Sequence, residues 1–86
     1  MNLTFHQNAW EDYLYWLDND KKVLKRVNLM IKEIERDPYR GIGKPEALRH
    51  DLMGWWSRRI TAEHRIVYRV QEGEVHIASL RYHYSR

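Results

Sequence analysis

Between Lys21 and Arg36 apolar residues return every three or four positions, so that Val23, Val27, Met30, Ile31 and Ile34 fall on one helical face with Lys, Arg and Glu opposite. Asp20 is placed to cap this helix, and Asp37-Pro38 ends it, because the residue before a proline is pushed out of the helical region. An earlier helix is predicted from Asn8, a good cap with Glu11 three residues later as in a capping box. Its stripe of Trp10, Tyr13, Leu14 and Leu17 reads as core, and Asp18-Asn19-Asp20 breaks it. Ahead of it, Asn2 to His6 alternates in polarity as a short strand does.

Beyond Pro38 the period changes. Arg40 to Pro45 reads as a flexible loop, after which Trp56, Arg58 and Ile60 alternate with Trp55, Ser57 and Arg59. Thr61 to His64 makes a turn, Arg65 to Val70 alternates again, and Glu72-Gly73 is a hairpin signal before a last strand from Glu74 to about Tyr84. In that strand Arg81 and His83 share a face and Tyr82 points to the other. The expectation is an α+β fold: a small antiparallel β-sheet with two N-terminal antiparallel helices packed on one face. The opposite face, bearing Arg65 and by parity Arg59, is left to solvent or a ligand.

Eighty-six residues suffice for one domain, 1–86, with a modest core. The absence of cysteine excludes a disulfide framework and thiolate metal sites and suits a reducing cytosol. The start lacks the pattern of a signal peptide, and no apolar run approaches the roughly 18 residues a membrane span needs. The chain therefore reads as soluble and intracellular. The net charge of +3 is unevenly placed. Residues 1–43 balance seven Lys/Arg against seven Asp/Glu, whereas residues 44–86 set eight cations, seven of them Arg, against five acids. Arginine favours bidentate contact with phosphate or carboxylate, so composition leans toward nucleic acid.

Several familiar chemistries do not fit. Gly41-Ile42-Gly43-Lys44 lacks the four-residue spacing of a phosphate loop and has Pro45 where Ser or Thr is required. The five histidines show no metal-ligand spacing, and Ser57 and Ser79 lie in no nucleophile-elbow context. What remains is a carboxylate, an imidazole and several guanidiniums. Such a set can cleave RNA through its own 2′-hydroxyl without a metal or cofactor: a base takes the 2′-proton, a cation stabilises the phosphorane and an acid protonates the departing 5′-oxygen. Taken singly, Glu46, Arg65 and His83 also have ordinary readings as a solvated loop residue, a surface cation and a terminal side chain.

The segments "GKPEALRHDL" from Gly43, "GWWSRRI" from Gly54, "EHRIVY" from Glu63 and the closing "YHY" resemble the YoeB/Txe family, toxins of type II toxin-antitoxin pairs within the RelE superfamily. The resemblance extends over nearly the whole chain, including "WEDYLYW" in the first helix. It implies the fold outlined above, a cytoplasmic bacterial setting and cleavage of messenger RNA in the ribosomal A site, which inhibits translation. It also implies Glu46 as general base, His83 as general acid, Arg65 as transition-state cation and Tyr84 as a phosphate- or base-positioning group. Lys44, Arg49 and Arg59 are implied RNA contacts, with Arg58 a ribosome contact or a solvated charge. Implied partners are the ribosome, a cognate YefM/Axe-like antitoxin and a second copy of the chain. The alternative within the same superfamily is a toxin that binds its nucleic-acid or protein target without cutting.

Overall fold

The computed structural model describes residues 1–82. The elements run β1 (Asn2–Phe5), α1 (Gln7–Asn19), α2 (Lys21–Arg36), β2 (Glu46–Ala47), a 3-10 turn (His50–Leu52), β3 (Trp56–Arg59), β4 (Arg65–Gln71) and β5 (Glu74–Ser79). The strands form one sheet in the order β1-β5-β4-β3-β2. The β3-β4-β5 meander is antiparallel, as the short turns at Thr61–His64 and Glu72-Gly73 predict, and β2 extends it antiparallel at one edge. Both central residues of the Glu72-Gly73 turn have positive φ, the backbone that lets a two-residue hairpin follow the strand twist.

The sheet is mixed, however, and not wholly antiparallel. β1 runs parallel to β5, pairing Asn2 with Glu74 through to Phe5 with Ile77. Parallel neighbours need a long crossover, and both helices lie between these two strands in the chain. Strand alternation reports which side chains share a face, but not the direction of the neighbouring strand.

The second helix forms as predicted. Asp20 Oδ1 accepts from the backbone N–H groups of Lys22 and Val23, and Val27, Met30, Ile31 and Ile34 are buried. The first helix departs from expectation. It starts at Gln7, with His6 at the cap position and no side-chain cap bond. The His6 N–H still pairs with the Ile77 carbonyl while its own carbonyl accepts from Trp10 N–H, so strand passes directly into helix and Asn8 is already in the first turn. Glu11 accepts instead from the Gln7 amide.

The packed face of α1 is also rotated by one residue, about 100°. Ala9 and Trp16 are buried with Tyr13 against them, while Trp10, Leu14 and Leu17 are 47%, 39% and 40% exposed. Small Ala9 lets the helix approach the sheet, and Trp16 is drawn inward because its indole N–H donates to the Leu80 carbonyl at 3.0 Å. These residues join Ile60, Ile66, Tyr68, Val75, Ile77 and Leu80 in one core beneath the helices.

Arg58, on the helix-facing side of β3, is fully buried, which replaces both readings of it as a ribosome contact or a solvated charge. Its guanidinium donates to the carbonyls of Asp37 (2.6 Å), Arg40 (2.9 Å) and Ile42 (3.3 Å), and its Nε donates to the Tyr68 hydroxyl (3.1 Å). The Tyr68 hydroxyl in turn donates to the Pro38 carbonyl at 2.6 Å. The Arg40–Pro45 segment is therefore tied down where a flexible loop was expected. Gly41 and Gly43 have positive φ, and a Cβ on Gly43 would stand 2.3 Å from Met30 Cε and 3.0 Å from the Arg59 carbonyl. Close approach to Arg58 and β3 is what these glycines serve.

Replacing Arg58 by Leu strips the donor from three carbonyls, so the unfolding free energy should fall by about 3 kcal/mol and Tm by roughly 15 °C. An unchanged denaturation midpoint would contradict this account. Burial raises the Tyr68 pKa above its ordinary value, with Arg58 opposing the rise. Above pH ~10 the unfolded chain thus releases a proton that the folded chain retains, and stability falls as pH increases. Tyr68→Phe should cost about 1–3 kcal/mol at neutral pH and flatten that alkaline decline, as followed by denaturant titration at several pH values.

Candidate active site

Register and alternation arrange the helix-free face of the sheet in rows. Arg59 pairs with Arg65 across β3 and β4; one row further on stand Glu46, Ser57 and Val67, contributed by β2, β3 and β4. Successive rows on one face are about 7 Å apart. Glu46 reaches this face because Gly43, held under Arg58, accepts from the Arg59 N–H at 2.6 Å and so brings the chain alongside β3.

Arg65 and Glu46 come together. Arg65 Nη1 lies 3.8 Å from Glu46 Oε1 and 3.4 Å from Ser57 Oγ. The Arg65 side chain is 13% exposed and that of Glu46 61%, so a lodged guanidinium stands beside an accessible carboxylate. Arg59 is exposed in the adjacent row, and exposed Lys44, with φ of 55°, follows Gly43 on the segment running beside it. Arg49 is exposed just before the 3-10 turn, and no hydrogen bond or ion pair among the described residues joins it to Glu46 or Arg65. His83 and Tyr84 lie outside the described residues. No group of three His, Asp or Glu among the described residues is arranged to hold a metal ion.

The last strand ends at Ser79, short of the predicted Tyr84, because Leu80 turns both its backbone groups to side chains of α1. The Leu80 N–H donates to Asp12 Oδ2 (2.8 Å), and the Leu80 carbonyl accepts from Trp16. The Tyr82 N–H donates to His64 Nδ1 (2.7 Å), and the Tyr82 carbonyl accepts from the Arg65 N–H (3.0 Å). The Arg81 guanidinium sits 3.6 Å from the centre of the Tyr15 ring, whereas Tyr82 is 53% exposed. Strand parity therefore does not govern these residues. His64, its ring edge-on to Trp16 at 4.8 Å, is a positioning residue that sequence reading passed over as part of a turn. An Asp inside the apolar spacing Ala9-Asp12-Tyr13-Trp16 was the available signal for a half-buried acceptor on α1.

A family model for YoeB-like toxins of bacterial type II toxin-antitoxin systems matches residues 5–84. The chain belongs to this family. It is 54% identical over 86 residues to Toxin YoeB of Synechocystis sp. (strain ATCC 27184 / PCC 6803 / Kazusa), covering 100% of both chains. The YoeB dimer from Staphylococcus aureus superposes with a TM-score of 0.91 at 49% identity, covering 98% of each chain. The heterotetrameric YoeB-YefM toxin-antitoxin complex of the same organism gives 0.90 at 49% identity, again with 98% of each chain covered. In this YoeB-family chain the Glu46–Arg65 pair thus stands on the open side of the family fold.

His64→Phe keeps an aromatic edge against Trp16 but removes the acceptor for Tyr82. Hydrogen exchange at the Tyr82 amide should quicken by roughly fivefold for a local stability loss of about 1 kcal/mol. Unchanged exchange would show that His64 does not hold this segment.

Proposed function

We propose that the chain is the toxin of a type II pair and acts as a metal-independent endoribonuclease on messenger RNA in the ribosomal A site. The observation that carries this reading is the exposed Glu46 carboxylate beside the lodged Arg65 guanidinium in a YoeB-family chain. Glu46 takes the proton from the 2′-hydroxyl, the 2′-oxygen bonds to phosphorus, and the bond to the 5′-oxygen breaks. His83, which follows Tyr82 directly in sequence, returns a proton to that oxygen, leaving a 2′,3′-cyclic phosphate and a 5′-hydroxyl. Arg65, restrained by Ser57, answers the charge that builds on the phosphorane, and needs little reorganisation to do so. Tyr84 orients the scissile phosphate or its base, and Lys44, Arg49 and Arg59 hold the flanking backbone.

The partners in this reading are the ribosome with its A-site message, a YefM/Axe-like antitoxin and, in the dimeric form, a second copy of the chain. The Staphylococcus aureus dimer and YoeB-YefM complex support the last two. An acidic antitoxin segment suits the basic half of the molecule, and such an association weakens as salt rises. Among the described residues no helix is long and apolar enough to cross a membrane.

Purified protein should cut ribosome-bound message in EDTA and leave 2′,3′-cyclic or 3′-phosphate ends, whereas 3′-hydroxyl ends would refute the mechanism. Glu46→Gln and His83→Gln should each slow cleavage by about 10²- to 10⁴-fold. Equal growth arrest from wild type and Glu46→Ala would instead favour a toxin that acts by binding alone.

A further inference from the structure

The next row of the open face, about 7 Å beyond Ser57, has no place in the chemistry above. Trp55 precedes Trp56 at the start of β3, Arg69 pairs with His76 across β4 and β5, and His76 pairs with Thr4 of β1. Trp55 is outside the core cluster and half-buried. The Arg69 guanidinium lies over its ring at 5.1 Å from the centroid, and His6 meets the ring edge-on at 5.7 Å. Arg69 also donates to Gln71 Oε1 at 2.5 Å, but no carboxylate among the described residues forms an ion pair with it. The nearby carboxylate of Glu74 is turned to His76 (3.3 Å) and Thr4 (3.1 Å). An aromatic plane and an arginine with unused donors therefore share the face that carries Glu46 and Arg65, Arg69 standing about 13 Å along β4 from Arg65.

We infer that Trp55, Arg69 and His6 form a second RNA contact, a subsite for an unpaired nucleotide flanking the one that is cut. Its base stacks on the Trp55 ring, which His6 buttresses edge-on, and a neighbouring phosphate binds Arg69. Single-stranded RNA is the occupant because stacking on a side chain requires an unpaired base and the guanidinium supplies the matching charge. The surface is also continuous with the catalytic face. The inference rests on the ribonuclease reading for its choice of ligand, and its test is separable from that reading.

In a Glu46→Gln background, which keeps bound RNA uncut, binding of a labelled single-stranded RNA of about 10 nucleotides is measured by fluorescence anisotropy. Trp55→Leu should weaken binding about tenfold and Trp55→Phe much less. Arg69→Gln should reduce the slope of log affinity against log salt by about 0.7. Unchanged affinity with Trp55→Leu, together with an unchanged slope with Arg69→Gln, overturns the subsite. So does a loss of antitoxin affinity without loss of RNA affinity, which would reassign the face to the protein partner. The denaturation midpoint of each variant separates loss of the contact from loss of the fold, and Trp55→Phe, which keeps the ring, must bind if the subsite exists. If otherwise wild-type protein fails to cut ribosome-bound message, the ribonuclease reading falls while the binding measurements still decide the subsite.

Discussion

The buried guanidinium of Arg58 is the constraint from which the rest of the architecture follows. A charge removed from water must be solvated by the protein, and here backbone carbonyls at Asp37, Arg40 and Ile42 and the Tyr68 hydroxyl do so. To supply those carbonyls the chain leaving α2 has to curl around the side chain. The curl brings Gly43 against Met30 and Arg59, where a Cβ has no room. From there the Gly43–Arg59 backbone bond sets the register that places Glu46 opposite Ser57. A residue on the helix side of the sheet thus determines where a carboxylate stands on the open side.

A second constraint works from the opposite end of the chain. Asp12 and Trp16 of α1 take both polar groups of the Leu80 peptide, and His64 with Arg65 takes those of Tyr82. The segment is anchored by side chains and a short backbone pairing where a continued strand would have used a ladder. Arg65 contributes twice, by its backbone to this anchor and by its side chain to the pair with Glu46. Glu46 at the β2 edge and the backbone of Tyr82 therefore both meet a single residue of β4. The sheet's two faces divide the work: apolar contact with the helices on one, and on the other charged and aromatic side chains set around buried Ser57 and Val67.

How much of this was legible in the sequence varied with the range of the interaction. Asp20, the apolar face of α2, Asp37-Pro38 and the Glu72-Gly73 turn act within a few residues and were read correctly. The Asn8 cap and the Trp10-Leu14-Leu17 stripe failed, since what orients α1 is the continuation of β1 pairing through His6 and the reach of Trp16 to Leu80, more than 60 residues away in sequence. At the site, Glu46 and Arg65 were named through family resemblance, and the structure brings them together. Arg49 was named in the same way and has no such contact among the described residues. Ser57 and His64 carried no signal beyond ordinary strand and turn positions.

By itself, then, the sequence determined element type, the open face with its excess of arginine, and family membership, because periodicity, charge and motif residues are local properties of the chain. Tertiary structure decided which cation is buried. Arg58 and Arg59 are neighbours of identical chemistry, and strand parity separates them, but only the helices packed over one face make the first a structural hub and leave the second to solvent. It also decided the direction of β1, the rotation of α1 and the end of β5 at Ser79. Each of these depends on hydrogen-bond partners that distant segments supply, and no local pattern encodes where those partners will be.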